Sequence, residues 1–225
     1  ATPALLKRYT FAAQVTQGAH CLNPGAYVAA LHDYAVRLGA QRALAHVTGF
    51  ECVDDRLRGL QTSNQPIVCD NVVIAAGIHS KGLAKLAGDT VHLESERGYH
   101  VELPYADIEL NMPIMPSDGK MANTVTQIGL RAAGQVELAS VGAPPNWARA
   151  DVLLKHLTAT YGELNTHGMH RWMGHRPSTP NGLPVIQHSS RSKQIVYAFG
   201  HGHVGLAAAP ATAQRVADLL AQTSI

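Results

Sequence analysis

The sequence predicts an α/β fold interrupted by a largely antiparallel β region. Three observations carry this expectation. Val72 to Gly77 (V-V-I-A-A-G) is apolar on both faces, the pattern of a buried parallel strand. Ile195 to Phe199 is a second apolar run, and it leads through a Gly-rich turn into a helix. Between them, from Thr90 to Val141, short strand-like segments are divided by Pro, Gly, Asn and Asp. An α/β region, an antiparallel middle and a return to α/β is the order produced when one domain is inserted into another. The divisions fall at 1–89, 90–171 and 172–225.

The elements follow in order. Ala1 to His20 is mixed and extended. Asn23-Pro24 is a helix start, with Asn as N-cap and Pro at the first helical position. Tyr27, Val28, Leu31, Ala35 and Leu38 recur at helical spacing, and Gly39 is the stop. Strands are expected over Arg42 to Val47, Gly49 to Val53, Leu57 to Thr62 and Val72 to Ala76, then a short helix over Ser80 to Leu86. The middle region offers strands over Val91 to Leu103, Met112 to Pro116, Lys120 to Leu130 and Gln135 to Val141. Asp151 to Tyr161 reads as a helix with Leu153, Leu154, Leu157 and Tyr161 on one side. The last helix, Leu206 to Leu220, aligns Leu206, Ala209, Ala213, Val216, Ala217 and Leu220 for burial.

Composition excludes several function classes. With 46% apolar and 15% charged residues, the 225-residue chain is globular rather than disordered. A formal net charge of +2 without a Lys/Arg run gives no footprint for nucleic acid. Cys21, Cys52 and Cys69 are odd in number and widely spaced, which points to a reducing compartment rather than a disulfide framework. No apolar run approaches the roughly 20 residues that span a bilayer. The first residues, A-T-P-A-L-L-K-R-Y-T, lack the pattern of a signal peptide and begin without Met, as in a processed chain or an excised piece.

The chemistry-bearing residues concentrate between Trp172 and Leu220. Gly200, Gly202 and Gly205 spell G-x-G-x-x-G between a strand and a helix. A dinucleotide fingerprint would need a following strand with an acidic residue about 20 positions on, and the chain stops about 20 residues after Gly205. The turn therefore serves either close backbone approach to a ligand beside a helix N-terminus or packing alone. Arg176 lies in G-H-R-P, stiffened by Pro177 and Pro180. Its planar guanidinium suits a carboxylate, although an ion pair inside the protein is the ordinary alternative. Thirteen histidines, including the H-x-H pair His201 and His203, raise a metal site. No carboxylate or Cys accompanies them at ligand spacing, so no metal is expected. No Cys–His or carboxylate pair stands out as a catalytic dyad.

Three stretches together resemble the FAD-dependent amino-acid oxidoreductases of the D-amino-acid oxidase type, bacterial D-amino-acid dehydrogenases above all. They are Glu96 to His100 (E-R-G-Y-H), Gly129 to Ala139 (G-L-R-A-A-G-Q-V-E-L-A) and Trp172 to Leu220. The resemblance implies a discontinuous FAD-binding domain (1–89 and 172–225) with an inserted antiparallel substrate-binding domain (90–171), the N-terminal Rossmann βαβ unit being missing. It implies that Arg176 grips the substrate carboxylate. Arg97 and Tyr99 would line the pocket or, on the plainer reading, serve as an ion-pair partner and a strand aromatic. The flavin would meet Gly200, His201, Gly202, His203, Gly205 and Leu206, while Ala76, Gly77 and the Val47 backbone would lie near its phosphates and adenine. The activity implied is oxidation of a D-amino acid or related amine to an imino acid, which hydrolyses to a 2-oxo acid. No side-chain base is required when the amine arrives neutral. The alternative is an inactive fragment or subunit that needs an N-terminal FAD-binding chain or self-association. The location implied is cytoplasmic, or peripheral on the inner face of the bacterial membrane. The sequence departs from the family pattern at Asn181, where Asp is usual, and at Gln187, where Gly is usual.

Overall fold

A computed structural model describes Leu5 and residues 9–223. The chain divides into two compact units. One comprises Ala1–Arg42, Arg97–Glu137 and Ala143–Gly174; the other comprises Ala43–Glu96, Leu138–Gly142 and His175–Ile225. Residues 1–42 therefore group with the middle of the chain rather than with residues 43–89.

In the first unit, helix α1 (Pro24–Arg37) begins as its cap residues dictate, with Asn23 Oδ1 accepting from the Ala26 N–H at 2.8 Å. The link to the middle of the chain is polar: Gln127 N–H donates to the Leu22 carbonyl, and Asn23 Nδ2 donates to Gln127 Oε1. The apolar stripe of α1 buries none of its residues in this chain. Strands β5 (Glu94–Leu103), β6 (Ala122–Val125), β7 (Leu130–Leu138) and β8 (His170–Ser178) form a sheet of order β6-β7-β5-β8, with β6 and β7 antiparallel. Helix α3 (Ala148–Tyr161) lays Ala150, Leu153, Leu157 and Tyr161 on it, over Tyr99, Val101, Leu130 and Ala132. Burial of such side chains is worth roughly 1.5–3 kcal/mol each.

In the second unit, β1 (Val47–Val53), β2 (Arg56–Thr62) and β3 (Ile67–Val68) form an antiparallel meander. Strands β4 (Val72–Ile74), β10 (Ile195–Phe199) and β9 (Val185–His188) form a second sheet, β4 parallel and β9 antiparallel to β10. Ile74, Ala84, Leu93, Ile195, Tyr197 and Phe199 make its core, with α2 (Ser80–Leu86) contributing Ala84. Helix α4 (Gly205–Ala221) closes the chain.

Several expectations need correction. Residues 42–46 carry no strand, and Met112 to Pro116 holds only an isolated bridge, Ile114 to Asn123. Lys120 to Leu130 is not one strand, because a turn at Thr126 to Gly129 separates β6 from β7. Residues 170–178, for which the sequence pattern suggests no element, form strand β8. Its Pro177 is tolerated because β8 is an edge strand of its sheet. The run Val72 to Ala76 is not fully buried: β4 stops at Ile74, Val73 is 40% exposed, and Ala75 and Ala76 are open to solvent. The cause is topological. Among the described residues β4 has a neighbour on one side only. Helix α4 forms where expected, and of the expected face Val216 and Leu220 are half-buried, but the inward face is otherwise shifted. Ala208, Thr212, Val216 and Leu219 are half-buried, whereas Leu206, Ala209, Ala213 and Ala217 are exposed.

Candidate functional site

The second unit brings two of the sequence-predicted features together. Chain reversal after β10 requires left-handed backbone at Gly200 (φ +88°) and Gly202 (φ +55°), which glycine adopts without strain. A Cβ at Gly200 would also press on Thr179 Cγ2 at 3.0 Å. The turn is clasped to the end of β8. Gly202 N–H donates to the Pro177 carbonyl at 2.9 Å, and Ser178 and His201 form a bridge. Ser178 Oγ in turn donates to Glu96 Oε2 at 2.8 Å. Arg176 thus stands one residue before the segment that holds the glycine turn.

Arg176 itself is half-buried. Among the described residues its guanidinium has no hydrogen-bond or ion-pair partner, so the ordinary internal ion pair is not its role here. A half-buried guanidinium carries five N–H donors in a planar fork, a set whose geometry matches a carboxylate.

Beyond the turn, α4 begins at Gly205 after Val204, with no side chain capping its first N–H groups. Those groups and the helix dipole present positive potential. His201 lies beside them, with Nε2 paired to Thr212 Oγ1 at 2.8 Å, and burial lowers its pKa, which keeps the ring neutral. His203 and Leu206 are exposed at the same end of the helix. This donor set could hold a planar ring with an electron-rich edge: backbone N–H groups would meet the edge, and the glycines leave room for close approach.

Val47 and Ala76 lie along one groove. With Phe50, Leu60, Ile74 and Leu83 they line an apolar groove of about 310 Å³, and Gly77 follows at φ +57°. Asn181 takes over the turn-forming part of the usual Asp, since its Oδ1 accepts from Leu183 N–H and from Thr179 Oγ1. Gln187 sits inside β9, paired with Tyr197, rather than in a turn.

In the first unit, Arg97 and Tyr99 belong to a structural network. Arg97 is fully buried, donates to the carbonyls of Ala143 and Pro144, and lies 3.6 Å from Glu137 Oε2. Tyr99 OH donates to the same carboxylate and accepts from the Asn146 N–H. Both side chains brace the segment before α3, the plainer of the two readings of their sequence. Hydrogen bonding by Tyr99, against the opposing effect of burial and aided by Arg149 and Arg97, holds the Glu137 carboxyl below its ordinary pKa. Among the described residues no three His, Cys, Asp or Glu side chains converge to hold a metal. The sequence reading passed over His100 and Trp172, which stack with ring centroids 4.7 Å apart.

The comparisons agree with this architecture. A model of the FAD dependent oxidoreductase family matches residues 1–219. The chain is 45% identical, over 97% of its length, to a D-amino-acid oxidase of Bradyrhizobium diazoefficiens and covers 53% of that protein. It is 29% identical, over 87% of its length, to D-amino acid dehydrogenase 3 of Mesorhizobium japonicum, covering 49% of it. The fold is similar to that of an L-proline dehydrogenase from P. horikoshii, with a TM-score of 0.76 at 19% identity over 88% of this chain and 55% of the other. A glycine oxidase from Geobacillus kaustophilus gives 0.73 at 20% identity, over 86% and 53% of the two chains. The chain spans about half the length of the curated relatives it matches.

Proposed function

The chain belongs to the FAD dependent oxidoreductase family, and we propose that it is the substrate-side portion of an enzyme that oxidises a D-amino acid. The product is an imino acid, which water hydrolyses to a 2-oxo acid and ammonia. The observation that carries this reading is the half-buried Arg176, without a partner among the described residues and one residue from the clasp that holds the Gly200 to Gly202 turn. Arg176 receives the α-carboxylate in a charge-assisted pair and so fixes the position of Cα. Bound FAD supplies the acceptor for the Cα hydride. Gly200 and Gly202 admit the ring, and the free N–H groups at the start of α4 favour negative charge on its facing edge. His201, held neutral and pinned to Thr212, adds no competing charge. His203, Gly205 and Leu206 complete this edge. Ala76, Gly77 and the Val47 backbone, at the apolar groove, serve the adenine and phosphate end. Arg97 and Tyr99 hold the segment before α3. Two relatives named for D-amino acids favour that stereochemical class.

The exposed apolar surfaces favour a second component. The open edge of β4, the groove beside it and the outward face of α4 are surfaces of the kind that an adjoining strand and helix cover. A βαβ segment bearing the diphosphate site would meet this need, supplied by an N-terminal FAD-binding chain or by self-association. Among the described residues no helix is long and apolar enough to cross a membrane; the location proposed is cytoplasmic or peripheral to the inner membrane face. Sedimentation combined with flavin absorbance tests this reading. The 225-residue chain alone should associate into dimers or larger species and retain FAD weakly or not at all. A monomer carrying one FAD per chain would refute the need for a second component.

A further inference from the structure

One carboxylate of the second unit stands beside Arg176 without a charged partner. Glu96 is half-buried in β5, the neighbour of β8 in its sheet. Its Oε2 accepts the Ser178 hydroxyl at 2.8 Å. Side chains alternate along a strand, so Ser178 and Arg176 project from one face of β8, about 6–7 Å apart along it. Glu96 therefore lies on the face that carries Arg176. The same hydroxyl borders the glycine turn: a Cβ at Gly202 would lie 3.5 Å from Ser178 Oγ. Glu96, Arg176, Ser178 and Gly202 all belong to the second unit.

The two opposite charges are not joined. Among the described residues Glu96 Oε1 has no hydrogen-bond partner, and no ion pair links its carboxylate to the Arg176 guanidinium. Opposite charges on neighbouring strands of one face ordinarily pair. Here Ser178 draws the carboxylate towards the turn. Each half-buried charge has lost part of its hydration and gained no opposite charge in return. A small molecule carrying a carboxylate and an ammonium on one carbon satisfies both. We propose that Glu96 receives the ammonium group of the amino-acid substrate, so that the zwitterion joins Glu96 to Arg176. This rests on the reading of Arg176 as the carboxylate anchor. Attachment at two points fixes the direction of the Cα–N bond as well as the place of the carboxylate. It also sets selectivity: a plain carboxylic acid engages Arg176 alone, whereas an amino acid engages both groups.

The test needs no flavin. The 225-residue chain alone is titrated near pH 7 with D-alanine and with propionate, which is the same acid without its amine. NMR follows the Arg176 Nε–H line and the Glu96 carboxylate carbon, assigned with Arg176→Ala and Glu96→Gln. D-Alanine should shift both lines, and propionate should shift the Arg176 line only. Glu96→Gln keeps an oxygen that accepts the Ser178 hydroxyl, and an unmoved Gly202 amide line shows that the clasp holds. In that variant the Kd for D-alanine should rise roughly 5- to 30-fold, between the worth of an exposed pair and that of a charge-assisted hydrogen bond, while the Kd for propionate does not rise. If D-alanine shifts Arg176 but leaves Glu96 unmoved, or binds Glu96→Gln undiminished, the proposal falls and the anchor stands. If D-alanine shifts Glu96 and binds Arg176→Ala undiminished, the anchor falls and Glu96 keeps the amine. If neither ligand moves either line, both fall.

Discussion

Replacing Arg176 by alanine in the complete enzyme is expected to raise KM for D-amino acids by roughly 30- to 1000-fold. That range corresponds to about 2–4 kcal/mol for a charge-assisted, bidentate pair with a carboxylate. The size follows from the setting. Arg176 is half-buried and has no carboxylate of its own among the described residues, so no internal partner compensates when the substrate is absent. If the pair acts equally in ground and transition states, kcat changes little and the loss appears in KM. Steady-state kinetics over a series of D-amino acids measures it. An unchanged KM would remove Arg176 from the site. Loss of binding on removing Arg97 instead would move the anchor there, against the structural role its burial indicates.

The largest effect on stability is expected at Gly129. It opens β7 with φ +142°, and a Cβ there would overlap the Leu103 carbonyl oxygen and lie 2.7 Å from Pro104 Cα. These are backbone atoms and cannot rotate away. Gly129→Ala therefore combines a disfavoured backbone conformation with overpacking between β5 and β7. Together these should cost roughly 2–6 kcal/mol. Urea denaturation should show the midpoint falling sharply with the slope unchanged. An unaltered midpoint would mean that the Thr126 to Gly129 turn re-forms without the close approach.

The helices were legible because local chemistry sets their ends. Asn23-Pro24 begins α1, and Gly162 ends α3 with its own left-handed φ of +92°. The face a helix buries was less legible. Helix α4 carries apolar residues on more than one side; it packs against β9 and β10, and Ala208, Thr212, Val216, Leu219 and Leu220 are its half-buried residues. The length of β4 was over-read for a related reason. V-V-I-A-A-G has the pattern of a strand covered on both sides, but here it stands at an edge. Both departures leave sequence-marked apolar surface uncovered. Strand β8 was missed because Gly174 and Pro177 interrupt any propensity signal, although its sheet position tolerates both. At the candidate site, the glycine turn and Arg176 could be read as motifs. Their clasp through Pro177, and the stack of His100 on Trp172, depend on contacts between residues distant in sequence.

The proposed D-amino-acid site lies against a flavin. It is tested most directly by joining the chain to the N-terminal portion of the Bradyrhizobium diazoefficiens D-amino-acid oxidase, with which it shares 45% identity over the matched half. The flavin of the purified fusion is then followed anaerobically. The account predicts a yellow protein whose flavin colour bleaches on adding a D-amino acid and persists with the L-enantiomer, with a 2-oxo acid as product. A fusion that holds flavin but is bleached only by L-amino acids, or by neither enantiomer, would contradict it.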